Sequence, residues 1–96
     1  MTIRKPALIL ALLLPMAFSG CGRIRAKSAF RDGNKAYKEE DYKKAIKLYE
    51  HALELDPNLA EARFYLGSSH QALFRPGKDT PDNKAHLDSA IEAYKA

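Results

Sequence analysis

Residues 33–58 read GNKAYKEEDYKKAIKLYEHALELDPN, and this stretch decides the fold. In its second half the apolar residues recur at spacings of three and four, as at Ala45, Tyr49 and Ala52. That spacing places them on one face and predicts an amphipathic helix. The first half is rich in Lys, Glu and Ala, which favour helices, and Pro57 cannot continue the second helix. The stretch therefore predicts two short helices joined by a turn.

The rest of the chain after residue 20 extends this pattern and predicts an all-α fold. It contains no run of alternating β-branched residues, which a strand would need. Asp41 is placed to cap the second helix, and Asp56-Pro57-Asn58 separates that helix from the third. The predicted helices span 25–39, 42–55, 59–74 and 82 to the end, with a loop at 75–81.

The sequence also repeats itself at a period of about 34 residues. Gly33 recurs at Gly67, and Phe30 recurs at Phe64. Small residues at 33, 45 and 52, an aromatic residue at 49 and a proline at 57 resemble the tetratricopeptide repeat (TPR) over its whole diagnostic length. The resemblance implies an antiparallel helix-hairpin TPR solenoid. It implies a TPR domain at 26–96, with one unit at about 26–59 and a second at about 60–96.

The second unit departs from the family pattern. Ala90-Ile91 repeats Ala45-Ile46 about eleven residues late, which indicates an insertion at about 75–84. This insertion is either a binding loop or a tolerated surface loop. Tyr94 stands where the second aromatic residue belongs, and the alanine and proline that complete a unit do not follow. We therefore expect a fragment of a longer array, or a last helix that pairs with itself or with a partner.

The first twenty residues form a separate block. Arg4 and Lys5 supply positive charge, an apolar run follows, and Ser19 and Gly20 are small. The apolar run covers roughly 13 residues, which is short of the ~20 that a membrane-spanning helix needs. A basic start, a short apolar core and small residues at its end are typical of a signal peptide, and we predict one at 1–20.

Cys21 is the only cysteine and directly follows this block. Phe18-Ser19-Gly20-Cys21 resembles a bacterial lipobox, although Phe18 stands where the family usually has Leu or another aliphatic residue. The resemblance implies a bacterial lipoprotein whose Cys21 thiol carries diacylglycerol, with an N-acyl chain such as palmitate as a further addition, and no other cofactor. A lipidated N-terminus and linker then occupy 21–25. The alternative is ordinary signal cleavage beside an unrelated cysteine.

The position after the cysteine bears on which membrane holds the protein. In enteric bacteria an Asp there favours retention in the inner membrane, and this chain has Gly22. We therefore expect a lipid anchor in the cell envelope, in the outer membrane facing the periplasm where the host is Gram-negative.

The charge balance narrows the range of partners. The whole chain has a net charge of +4, from 16 basic and 12 acidic residues. Residues 1–20 hold two of the basic residues and no acidic one, so the remainder has a net charge of +2. The excess is concentrated at Arg23, Arg25, Lys27 and Arg31, which either contact anionic lipid headgroups or form a solvated linker. Nucleic-acid binding would need a larger basic face with aromatic residues arranged for stacking, so we expect no nucleic-acid partner.

The TPR resemblance implies a binding surface for a protein or peptide partner on the concave side, lined by the first helix of each unit. No small-molecule substrate is expected there. Carried over by position, the residues of this surface are Lys27, Phe30, Asn34, Tyr37, Glu61, Phe64, Tyr65, Ser68 and Gln71. Aromatic residues are good anchors for partner segments, although Tyr37 and Tyr65 have the alternative role of packing between helices.

Catalysis finds little support in the sequence. His51, His70 and His86 are far apart along the chain, without a short metal-ligand pair, and no nucleophile motif or phosphate-binding glycine loop appears. We predict that the protein is not an enzyme and holds no metal. Three hypotheses remain open: a lipid-anchored adaptor or assembly factor of the bacterial envelope, the N-terminal part of a larger TPR protein whose activity lies elsewhere, and a self-associating structural lipoprotein.

Overall fold

The computed structural model describes the backbone of residues 4–95 and the side chains of residues 21–95. Every regular element within this part of the chain is a helix, which confirms the all-α prediction. The elements, in chain order, are α1 (Arg4–Lys38), α2 (Tyr42–Leu55), α3 (Ala60–Leu73) and α4 (Pro81–Lys95). Each helix packs against the next one, so the fold consists of successive helical hairpins.

Three of the predicted helices agree with the structure, but the predicted start of the first helix is wrong. The sequence predicts a beginning near Arg25, but α1 begins at Arg4 and runs through the predicted linker at 21–25. Gly22 does not break α1, because a single glycine costs a helix only about 1 kcal/mol relative to alanine. The signal peptide at 1–20 stays a prediction, since its side chains lie outside the described residues. Among the described residues we find no helix with the length and hydropathy of a membrane span.

The turn between α1 and α2 is tight because two residues satisfy its backbone groups. Glu40 adopts a left-handed conformation with φ 61°, which reverses the chain. The N–H of Asp41 donates to the carbonyl of Ala36 at 2.9 Å, which closes the end of α1. The Asp41 side chain then accepts a hydrogen bond from the N–H of Lys44 at 3.3 Å, as predicted for a helix cap.

The core between α1 and α2 contains small residues and one large ring. Tyr49 of α2 is completely buried and packs with Ala36 and Ala45. Its ring lies directly on the backbone of Gly33, where a Cβ atom would come within 2.7 Å of the Tyr49 Cε1 atom. A second cluster of alanines, including Ala52, continues the core towards α3. Small side chains thus bring the helices close enough for one tyrosine ring to fill the space between them.

The second hairpin repeats this arrangement at an exposed edge. Tyr94 of α4 lies on the backbone of Gly67 in α3, and a Cβ atom at Gly67 would lie 2.6 Å from the Tyr94 Cε1 atom. Tyr94 is 44 % exposed, whereas Tyr49 is 0 % exposed. The difference arises because α3 covers Tyr49, while no described helix follows α4.

The insertion predicted at about 75–84 forms the loop 74–80 and the first turn of α4, and one asparagine organises it. Asn83 is buried, accepts a hydrogen bond from the N–H of Arg75 at 2.6 Å, and donates to the carbonyls of Arg75 and Lys78 at 2.7 and 2.8 Å. The Thr80 hydroxyl accepts from the N–H of Asn83 at 3.2 Å and caps α4. These bonds give the loop a defined conformation.

The two glycine–tyrosine contacts predict different outcomes for the same substitution. Gly33→Ala forces a methyl group against a buried ring, and overpacking of this kind costs about 1–3 kcal/mol. The Tyr94 ring beside Gly67 is half-exposed and can shift outward, but the shift breaks its hydrogen bonds to Gln71 and Ser68, while alanine favours the helix by about 1 kcal/mol. We expect Gly33→Ala to lower the free energy of unfolding measured in urea more than Gly67→Ala does. Equal effects of the two substitutions would contradict this account of the core.

Candidate peptide-binding face

An aromatic cluster connects the first three helices on one side of the molecule. Tyr65 of α3 is its centre, with ring centroids 6.0 Å from Phe30, 5.6 Å from Tyr37, 6.0 Å from Tyr49 and 5.4 Å from Phe64. The Tyr49 and Tyr65 rings are stacked, and those of Tyr37 and Phe64 meet Tyr65 edge-on. Such pairs stabilise the fold by about 0.5–1.5 kcal/mol each beyond the area that they bury.

The cluster separates the predicted binding residues into supporting and accessible ones. Phe64 is 56 % exposed, although its ring contacts both Tyr65 and Tyr94. Tyr37 and Tyr65 are half-buried, and their rings pack between the helices. Among the nine predicted residues, the exposed ones are Lys27, Glu61, Phe64 and Gln71, and the half-buried ones are Phe30, Asn34, Tyr37, Tyr65 and Ser68. Phe64 is therefore the large apolar side chain that this face offers to a partner.

The polar residues of the face hold the tyrosines of the second helices. The Tyr49 hydroxyl donates to Asn34 Oδ1 at 2.7 Å. In the second hairpin the Tyr94 hydroxyl donates to Gln71 Oε1 at 2.8 Å and lies 3.2 Å from Ser68 Oγ. In each hairpin the tyrosine therefore hydrogen-bonds the residue directly after the glycine that its ring covers. That residue is Asn34 after Gly33 and Ser68 after Gly67. These amides and hydroxyls have structural partners as well as solvent-facing surfaces.

Burial keeps the Tyr49 hydroxyl in its neutral form. Desolvation, together with the neighbouring Tyr65 and Tyr37, raises the pKa of Tyr49 to about 12. A neutral phenol retains its proton and donates a hydrogen bond to Asn34 Oδ1. The side chain of Asn34 is therefore oriented by a hydrogen bond that persists over the whole physiological pH range.

A cavity of about 360 Å³ opens between α1 and α3 on this face. Lys27 and Arg31 give it positive charge, Glu61 gives it negative charge, and Phe30 and Leu59 provide its apolar part. Asn34 completes the predicted part of the lining. Leu59 was not among the predicted residues, because the positions carried over from the TPR family begin at Glu61 in the second unit.

A second groove, of about 550 Å³, lies where α2, α3 and α4 meet. Its lining residues are Glu50, Leu53, Pro57, Arg63, Leu66, His70, Asp88, Ser89, Glu92 and Ala93. The repeat pattern does not predict this groove, because the 34-residue period is lost before α4 and the register that brings these residues together cannot be read from the sequence. Its three carboxylates surround an apolar base, while Arg63 donates to the carbonyl of Pro57.

Two histidines that are distant in sequence meet between α3 and α4. The Nδ1 atoms of His70 and His86 lie 3.0 Å apart, so one ring donates a hydrogen bond to the other. Burial of the ring and the neighbouring His86 lower the pKa of His70 below its usual value of 6.5. His51 lies apart from them, exposed and 3.7 Å from Glu54. The described residues contain no group of three or more potential metal ligands.

The comparisons with known proteins agree with this architecture. Residues 33–73 match the family model for the TPR repeat, a region that includes the end of α1, all of α2 and all of α3. The match confirms the repeat predicted from the spacing of small and aromatic residues, and it supports a TPR protein. TPR repeats are typically non-catalytic and mediate contacts between proteins, which indicates a protein-interaction module. No curated protein and no solved structure matches the chain.

The lowered pKa of His70 predicts a pH-dependent stability. The unfolded chain takes up a proton at this residue at a higher pH than the folded chain, so the free energy of unfolding falls as the pH drops below 6.5. Urea unfolding between about pH 8 and about pH 5 measures this loss. His70→Gln should flatten the profile, and His51→Gln, at an exposed histidine, should retain it. The same profile in His70→Gln as in the wild type would refute the assignment.

Proposed function

We propose that the protein is a lipid-anchored interaction module that binds a segment of another protein and acts as an adaptor or assembly factor in a bacterial cell envelope. The observation that carries this proposal is the face formed by α1 and α3. It combines an exposed aromatic ring at Phe64 with a cavity that begins one helical turn earlier on α3, at Glu61, and is also lined by Lys27 and Arg31. An aromatic anchor on the same face as charged groups of both signs suits recognition of a peptide with an apolar side chain.

The tether that we propose is diacylglycerol on the thiol of Cys21, which is exposed at its position in α1. Acyl chains hold a protein at a membrane because each buried CH₂ contributes about 0.8 kcal/mol. From Cys21 to Phe30 the helix rises about 14 Å. An anchor at this position therefore holds the binding face close to the bilayer, and the outer membrane facing the periplasm is the favoured location in a Gram-negative host.

Substitutions on the exposed part of the face test peptide binding. Tyr37 is unsuitable because its ring supports the fold, so the variants are Phe64→Ser and Glu61→Lys, both at exposed side chains. Proteins crosslinked to the wild-type chain in membranes should be reduced at least tenfold with Phe64→Ser, since loss of a central aromatic anchor typically costs about 2 kcal/mol or more. Glu50→Lys, a charge reversal outside this face, is the control and should retain the wild-type set. Capture that is unchanged in Phe64→Ser and Glu61→Lys would exclude this face as the binding site.

A relocated cysteine tests the lipid anchor. Cys21→Ser should abolish incorporation of a labelled fatty acid and release the protein from membranes. The matched control is the double variant Cys21→Ser, Ser28→Cys, which restores one exposed thiol seven residues further along α1. It should remain unlabelled, because modification requires the position after Gly20 and not merely a thiol. Labelling of the relocated cysteine, or membrane retention of Cys21→Ser, would rule out the proposed anchor.

A further inference from the structure

The outer face of α4 is an apolar stripe that the described residues leave uncovered. Leu87, Ile91 and Tyr94 are 39 %, 44 % and 44 % exposed. Their spacings of four and three place them on one side of the helix, as in the seam of a coiled coil. Phe64 of α3, the anchor of the proposed binding face, borders this stripe with its ring centroid 5.9 Å from that of Tyr94, and the stripe itself consists of the three α4 residues. Large apolar residues grouped in this way mark an interaction surface.

The repeat shows that this stripe corresponds to a surface that is buried in the first hairpin. Ile46 and Tyr49 of α2 are the counterparts of Ile91 and Tyr94, and they are only 8 % and 0 % exposed. Tyr49 is covered by the stacked ring of Tyr65, which belongs to the following helix. The stripe on α4 therefore has the composition of a helix–helix interface. Within the described residues, no helix covers it.

A second copy stacked head to tail does not supply the missing cover. In α3 the residues that pack against the cluster of Ala36, Ala45 and Tyr49 are Tyr65 and Leu66. The corresponding positions of α1, one repeat earlier, are Arg31 and Asp32, and both side chains are exposed. A charged α1 edge against the apolar α4 stripe would leave those charges without water, which is unfavourable.

We propose that two copies of this chain pair through α4, antiparallel and about a two-fold axis near Ile91. In this arrangement Leu87 of one copy faces Tyr94 of the other, and the two Ile91 side chains meet at the axis. Both apolar stripes are covered at once, and a closed two-fold contact adds no further copies. The face of α1 and α3 that we propose for peptide binding lies on other helices, so this pairing does not depend on that function.

Charges beside the stripe favour the antiparallel orientation. Asp88 and Lys95 are both exposed and lie seven residues apart on the same flank of the stripe. Antiparallel pairing brings like flanks together, so Asp88 of each copy lies opposite Lys95 of the other. In a parallel pair each of them would meet the opposite flank, where Asn83 and Ala90 are uncharged and buried against the rest of the fold. Only the antiparallel pair gives both charges an opposite partner.

Sedimentation velocity of the full chain over a wide range of concentrations tests the pairing. The protein is kept in mild detergent with a reductant, so that neither residues 1–20 nor a Cys21 disulfide joins two copies. The wild type should convert from monomer to dimer as its concentration rises. Ile91→Glu should remain monomeric, because it places two carboxylates face to face at the axis. Circular dichroism checks that the variant keeps its helices. A wild type that is monomeric at all concentrations would overturn the proposal.

Charge exchange provides the sharper test, since it distinguishes this register from non-specific association. Asp88→Lys and Lys95→Asp should each weaken dimerisation at least threefold, and the double variant should restore it. Asp79→Lys, a charge reversal in the exposed loop before α4, should behave as the wild type. Failure of the double variant to recover would overturn the antiparallel register. In the membrane crosslinking experiment Ile91→Glu should retain the proteins that Phe64→Ser loses, which separates a failure of pairing from a failure of peptide binding.

Discussion

The contact between the Tyr49 ring and the backbone of Gly33 is the constraint on which the rest of the structure depends. The missing Cβ of the glycine sets how closely α1 and α2 approach, and the ring fills the space that remains. Because the ring also stacks on Tyr65, the same side chain determines how α3 is seated. Its hydroxyl orients Asn34 on the proposed binding face. One buried side chain thus connects hairpin geometry, the stacking of units and the arrangement of the surface.

Much of this could be predicted from the sequence, because a helical repeat encodes its packing in local spacing. The small and aromatic residues between Gly33 and Pro57 gave the bounds of α2 and the cap at Asp41. The resemblance to the TPR family supplied the positions on α1 and α3 that were predicted to share a face. It could not tell which of these residues a partner can reach, since accessibility depends on three-dimensional contacts. Tyr37 and Phe64 are both aromatic residues on that face, yet one supports the core and the other is exposed.

The repeat pattern could not predict the contacts that α4 makes. The insertion removes the fixed period, so sequence comparison alone does not align α3 with α4. The contact between His70 and His86 and the groove above Leu66 both result from that alignment. The buried role of Asn83 was not predicted either, because an asparagine near a helix start usually serves as a cap. Here it is buried and binds the backbone of the preceding loop instead. The continuous α1 was missed for a different reason: the cost of one glycine is small, and the neighbouring residues favour a helix.

The continuity of α1 also fixes the angle around the helix axis between the side chains of Cys21 and Phe30. Phe30 lies nine positions after Cys21, and at 3.6 residues per turn this is two and a half turns. The two side chains therefore emerge on opposite sides of the same rigid rod. With the proposed acyl chains at Cys21 drawn down into the lipid, the aromatic side of α1 is turned away from the membrane and towards the aqueous compartment. A flexible tether of equal length would leave the module free to rotate, whereas a helical one presents it in a single orientation.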